Sequence, residues 1–230
     1  MSYWFNECSN VESISLTNLN TDSVTSMCGL FRNCKKLPAV NFPESFYTGN
    51  VINMYSMFRG CESLTSLNLS KFNTSKATDM GYMFYDCKAL TSITLSSLFG
   101  TGNVTYMSHM FSDCQNLQAV DLRSFNTSKA TDMDSMFSGC TSLIFLDLSM
   151  FDTRKVQYME AMFSECEHLQ RIFVDDTFVL TSVKKYCYFI FMNCYLLEGG
   201  AGTLYSEHHV DGEDYARIDQ PDIGKPGYFT

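Results

Sequence analysis

The chain has 230 residues, 45% of them hydrophobic and 14% aromatic, so it can bury a core and is too apolar to stay disordered. Its 25 acidic residues against 16 basic ones give a net charge of −9. Nucleic acid and anionic membrane surfaces are therefore not expected as partners, because neutralising phosphates takes clustered Lys and Arg, and no apolar run approaches the roughly 18 residues that would insert across a bilayer.

In chain order, one frame dominates: Met-x-x-Met-Phe-x-x-Cys. Met1, Trp4, Phe5 and Cys8 already fall on its columns, so the chain starts inside a repeat and its first copy is truncated. A true N-terminal cap would be more polar. Residues 1–8 also lack the basic and apolar regions of a signal peptide, so upstream sequence carrying an export signal is expected. The frame returns as Met27/Leu30/Phe31/Cys34, Met54/Met57/Phe58/Cys61, Met80/Met83/Phe84/Cys87, Met107/Met110/Phe111/Cys114, Met133/Met136/Phe137/Cys140 and Met159/Met162/Phe163/Cys166. Successive frames are 26 or 27 residues apart, and a divergent copy ends near Cys194.

After each Cys comes x-x-Leu-x-x-Leu-x-Leu, then Phe-x-Thr, as in Leu64/Leu67/Leu69 followed by Phe72 and Thr74. The longer spacing has a local cause: Leu69 to Phe72 is three residues, whereas Leu95 to Phe99 is four. Met, Met, Phe and Cys at i, i+3, i+4 and i+7 predict a short helix, and Leu-x-Leu predicts a strand. Thr78, Thr105 and Thr131 stand where a hydroxyl would cap that helix. The expected architecture is an α/β solenoid, a leucine-rich-repeat-like coil with a parallel β-sheet on one face and short helices on the other.

Residues 1–197 make up this solenoid. Residues 198–230 hold six of the thirteen glycines and two of the four prolines, with no copy of the frame. They are expected to fold over the last coil as a C-terminal cap, with Tyr215, Ile218 and Tyr228 or Phe229 covering an otherwise open sheet edge.

The run Phe-x-x-Cys-x-x-Leu-x-x-Leu-x-Leu resembles the leucine-rich repeats of BspA-like bacterial surface proteins. The Asn-Thr-Ser-Lys-Ala-Thr-Asp-Met variant at 73–80 and 126–133 is similar to the subfamily catalogued as a domain of unknown function in mycoplasmas and gut bacteria. The resemblance covers about residues 1–197 and extends to the tail, in Gly-Gly-Ala-Gly-Thr at 199–203 and Pro-Gly-Tyr-Phe-Thr at 226–230. It implies a secreted or cell-surface protein, with adhesion to host or bacterial partners in some members, and names no ligand; a host matrix protein, a glycan or another bacterial surface protein is the expected partner.

Ten cysteines invite disulfide or metal readings. Eight occupy one column of the repeat and none forms a C-x₂₋₄-C pair, so a ladder of buried thiols is expected ahead of disulfides or a metal site. Cys28 and Cys187 lie outside the column, and their state stays open. The methionines, at helical spacing, are read as core, and the Thr of Phe-x-Thr as satisfying turn backbone groups. His109 and His168 sit at variable positions and are expected to be exposed. His208 and His209 beside Asp211, Glu213 and Asp214 could gather a cation, although a solvated acidic turn fits better because no EF-hand spacing is present. No phosphate-binding glycine loop, zinc-hydrolase motif or nucleophile–histidine pairing stands out, so neither a cofactor nor catalysis is expected.

Residues flanking the last two Leu of each strand point away from the core. One outward column ends in Ala119, Phe145 and Arg171, and the next in Asp121, Asp147 and Phe173; the early coils carry small polar groups there. Aromatic and Arg side chains concentrate binding energy. The expected ligand site is therefore Asp121, Phe145, Asp147, Arg171 and Phe173. The competing readings are that the tail or a following domain covers these aromatics, or that the whole chain is an architectural spacer.

Overall fold

The computed structural model describes residues 1–184 and 187–230, the side chains of 213, 214 and 221 excepted. It is a solenoid of stacked coils in register with the sequence repeat. Four strands are formed: β1 (Ser66–Leu69), β2 (Ser92–Leu95), β3 (Phe145–Asp147) and β4 (Arg171–Phe173). β1 pairs with β2 and β3 with β4, both in parallel. The expected continuous sheet is thus two short pieces. Both 27-residue spacings on this face, Ala39 to Ser66 and Ser92 to Ala119, coincide with breaks in it.

The expected helices do not form. Among the described residues the one α-helix is α1 (Gly212–Tyr215), in the tail, followed by a 3-10 turn at Pro221–Ile223. Each Met-Phe-Cys segment is instead a chain of turns, because two residues per coil adopt the left-handed conformation. Tyr82 and Asp86 do so at φ 58° and 61°, Ser135 and Gly139 at 53° and 73°. Left-handed residues cannot continue a right-handed helix. The backbone N–H groups that a helix would keep turn to the next coil: those of Met54, Ser56, Phe58 and Gly60 donate to the carbonyls of Asp79, Gly81, Met83 and Tyr85 at 2.7–2.9 Å. Parallel bridges run along this face from Ser26 through Asn53, Asp79, Tyr106 and Asp132 to Tyr158.

Side chains repeat the ladder inside. Phe5, Phe31, Phe58, Phe84, Phe111, Phe137, Phe163 and Phe191 stack in one column, centroids 5.3–6.1 Å apart and planes within 20°. Such offset stacking adds to the burial of each ring. All ten cysteines are free. Each column thiol from Cys34 onward donates to the carbonyl of the Phe one coil before it, as Cys114 does to Phe84 at 3.2 Å and Cys140 to Phe111 at 3.1 Å. Burial pushes the Cys34, Cys87 and Cys140 thiols up to about 12. Cys28 donates to the Tyr3 hydroxyl at 3.2 Å, and Cys187 is buried.

The Thr of Phe-x-Thr is buried and clasps the next coil twice. Thr101 donates to the Asn126 carbonyl at 2.9 Å and accepts the Asn126 N–H at 2.8 Å; Thr127 does the same with Asp152 at 3.0 and 2.7 Å. Thr78, Thr105 and Thr131, expected as helix caps, have no helix to cap. Their hydroxyls donate backwards, to the carbonyls of Ile52, Thr78 and Thr105.

The tail closes the last coil. Phe229 makes a parallel bridge to Ile172, and the Thr230 N–H donates to the Ile172 carbonyl at 2.9 Å, so the chain end lies alongside β4. Tyr228 and Phe229 are buried against Phe191, at 5.0 and 5.9 Å between centroids. Tyr215 packs on Tyr228 at 4.9 Å. Ile218, expected to cover the edge, stays exposed and pairs with Phe229, whose ring packs edge-on against Phe178. Asp219 pins the turn: burial alone would push its carboxyl up, but donors from Thr203, Gly227 and Ala201 outweigh that and hold it below the usual range. A side chain at Gly199 would run into the Gly227 carbonyl, which makes glycine obligatory there.

Candidate binding face

β3 and β4 alternate as strands must: Leu146 and Ile172 point inward and are buried, while Phe145, Asp147 and Phe173 point outward. The pairing sets Phe145 opposite Arg171 and Asp147 opposite Phe173. Phe145 is 50% exposed and Phe173 38%, so the tail covers neither. Asp147 is committed locally, accepting from the Ser149 N–H at 3.1 Å and its hydroxyl at 2.6 Å.

Two expected members stand apart from this cluster. Arg171 turns towards the tail, donating to the Glu198 carbonyl at 2.9 Å and the Glu198 carboxylate at 3.1 Å. Asp121 lies outside any strand. Its partner, Arg123, went unread in the sequence. The guanidinium grips Asp121 with Nε at 2.9 Å and Nη2 at 2.6 Å, holding that carboxyl down to about 2. An Asp two residues before an Arg was the signal that could have found it. Beside this pair, where β2 has no strand next to it, lies a groove of about 590 Å³ lined by Thr94, Leu95, Ser97 and Ser124 among others.

Three further depressions and clusters bear on function. A cleft of about 710 Å³ lies between the last coil and the tail, with Asp175, Asp176, Arg217 and Lys225 around an apolar floor that includes Phe178 and Val183. His109, expected at the surface, is half-buried and stacked on Tyr82 at 4.4 Å, and burial pushes its pKa down. Its aromatic neighbours explain the difference, since Tyr82 and Tyr85 form an apolar wall beneath Arg59. Of the acidic turn, Asp211 accepts a backbone N–H from Phe189 and His209 stacks on Tyr215 at 4.3 Å; the side chains of Glu213 and Asp214 lie outside the described residues. Among the described residues no three His, Cys, Asp or Glu side chains converge as metal ligands, and no helix is long and apolar enough to cross a membrane.

No curated protein matches the chain. Among solved structures it is similar to a leucine-rich repeat protein of T. pallidum, at 21% identity over 70% of this chain and 67% of that one, with a TM-score of 0.46. A leucine-rich repeat protein of Bacteroides ovatus is 18% identical over 86% and 62%, TM-score 0.44. A leucine rich cell surface protein of Faecalibacterium prausnitzii is 19% identical over 74% and 61%, TM-score 0.27. The chain thus spans 61–67% of the length of these three. The profile of the family described as "Mycoplasma protein of unknown function, DUF285" matches residues 1–97 and again 93–194, and the chain belongs to that family.

Proposed function

We propose that this is a non-catalytic repeat protein of a bacterial cell exterior that binds a protein or a glycan through its sheet face. The observation that carries the reading is the exposure of Phe145 and Phe173 on paired strands, with Asp147 between them. A rigid backbone, two aromatic rings and a carboxylate are the combination in which interface energy concentrates. Asp121, clamped by Arg123, extends the face by one coil and keeps its charge at any physiological pH. Arg171 contributes its stem beside Phe145 while its guanidinium holds the tail in place.

The test is binding to immobilised host-matrix proteins and to a glycan array, comparing the chain with a Phe145→Ala/Asp147→Ala variant. Loss of about tenfold or more in affinity supports the site. Unchanged binding to every ligand captured by the parent chain overturns it. A second reading, an architectural spacer, draws on the small polar groups of the early coils, such as Ser66 and Asn68. Absence of any captured ligand would favour it.

A further inference from the structure

The second residue after each buried Thr forms a column that includes Asn50, Lys76, Asn103, Lys129 and Lys155, continued in the next coil by Ser182. Two of its lysines make hydrogen bonds within the column: Lys76 donates to Asn50 at 2.7 Å and Lys129 to Asn103 at 2.6 Å. Lys155 breaks the alternation. The coil before it presents Lys129 where an Asn would be needed, and the Lys155 ammonium has no hydrogen-bond or ion-pair partner among the described residues.

That ammonium borders an open depression of about 480 Å³ lined by Thr131, Arg154, Lys155, Gln157, Ser182 and Lys184. Three of the six are cationic and none is acidic, in a chain whose net charge is −9. Arg154 is paired with Asp152 at 2.7 Å. Lys184 has only a neutral partner, the Tyr158 hydroxyl at 2.9 Å, and its ammonium lies 4.8 Å from the centre of the Tyr158 ring. The ring itself is 45% exposed. Asn53, Asp79 and Asp132, at the same repeat position, fold inward to accept the N–H two residues on; tyrosine has no such acceptor and projects outward.

We propose that this depression binds an anionic sugar residue of a polysaccharide. Lys155 and Lys184 meet its sulfate or carboxylate, the Gln157 amide and Ser182 hydroxyl meet its ring hydroxyls, and the apolar face of the ring packs on Tyr158. An anion gives the two ammonium groups at this depression a charged hydrogen-bond partner, which neither has among the described residues. The sugar ring is what distinguishes this occupant from a free anion, since only a ligand with an apolar face uses an aromatic platform. The site lies apart from the sheet face and stands independently of the reading proposed for it.

Titration calorimetry at low salt tests the site with three octasaccharides: heparin-derived (sulfated), hyaluronan-derived (carboxylated) and a neutral cello-oligosaccharide. Binding of either anionic probe, weakening with added salt, is expected, and the one that binds identifies the anion. Lys155→Ala and Lys184→Ala should each weaken it about three- to fivefold, and Tyr158→Ala should weaken it without changing the salt dependence. These side chains are exposed, so melting should not move; Lys35→Ala/Lys71→Ala removes as much charge elsewhere and should leave binding intact. The proposal fails if neither anionic probe binds, if the neutral probe binds as well, or if the Lys35/Lys71 variant loses as much as the Lys155/Lys184 double variant. Tighter binding to phosphatidylglycerol vesicles than to either oligosaccharide also overturns it.

Discussion

The backbone N–H of Phe189 donates to the Asp211 carboxylate at 2.7 Å. Two residues on, Phe191 donates to the Val210 carbonyl at 2.9 Å, and Asn193 to the Tyr205 hydroxyl at 3.1 Å. These are the N–H groups that in every earlier coil find a carbonyl of the next one. The tail supplies three different oxygens in place of a further coil. Asp211→Ala should therefore destabilise the protein by about 1 kcal/mol, read as a melting point about 2–4 °C lower, with Asp211→Asn losing less. Deleting residues 199–230 should leave insoluble or oligomeric protein, because the edge of β4 opens. A monomeric truncation with unchanged melting would show that the tail is not a cap.

The buried thiols should be slow to react until the chain unfolds. Burial pushes Cys87 and Cys140 up to about 12, so almost no thiolate exists at neutral pH. Alkylation followed by mass spectrometry should label Cys8 and Cys28, which are partly exposed, first. The remaining eight should label only in denaturant. Rapid labelling of Cys87 or Cys114 in the native protein contradicts the packing.

Thr101 offers a cleaner separation of hydrogen bonding from packing. Thr101→Val keeps the shape but leaves the Asn126 carbonyl and N–H without their buried partner, at about 1–3 kcal/mol. Thr101→Ser keeps both bonds and removes one methyl, at about 1 kcal/mol. Chemical denaturation should therefore rank serine above valine; the reverse order would mean that the methyl matters more than the clasp.

Asp134 links stability to pH. Burial pushes its carboxyl from 3.8 up to about 6. Between these values the native state holds a proton that the unfolded chain has lost, so its contribution is full below about pH 4 and is lost as pH rises through 6. Asp79, Asp113 and Asp132 shift the same way through burial. Asp134→Asn can still accept the Glu160 N–H that Oδ1 now holds at 2.7 Å. It should be more stable than the parent at pH 7, by of order 1 kcal/mol after solvent screening, and the difference should vanish near pH 4. A constant difference across that range would rule out titration as its cause.

The repeat, its register and its inward columns were legible in the sequence because they rest on periodicity, which identical coils enforce on one another. The helix was misread for a physical reason. Apolar residues at i, i+3, i+4 and i+7 line one side of a helix, but they also line the inside of a chain of turns. The discriminating signal lay in the position before each Cys, which reads Glu7, Asn33, Gly60, Asp86, Asp113, Gly139, Glu165 and Asn193. All eight have positive φ, and Gly, Asn and Asp are the residues that tolerate it. The other left-handed column, with Tyr82, His109 and Ala161, gave no such sign. On the sheet face, strand alternation was enough to place Phe145, Asp147 and Phe173 outward. The Arg171–Glu198 contact was not legible, since it depends on how the tail folds back.

The coil-to-coil backbone hydrogen bonds of the Met-Phe-Cys segments run one way, from the N–H of one coil to the C=O of the next. Each is a small electric dipole, and aligned in series they add up along the axis as those of a helix do. On this face the positive pole lies at the last coil, while the bonds that run back from Thr78 to Ile52 and from Thr91 to Thr65 oppose it elsewhere in each coil. The tail meets that pole with the Asp211 carboxylate, an anion placed where the field favours one. Coils can then be added or lost without a new ending, because each hands on the same three N–H groups and one tail answers them.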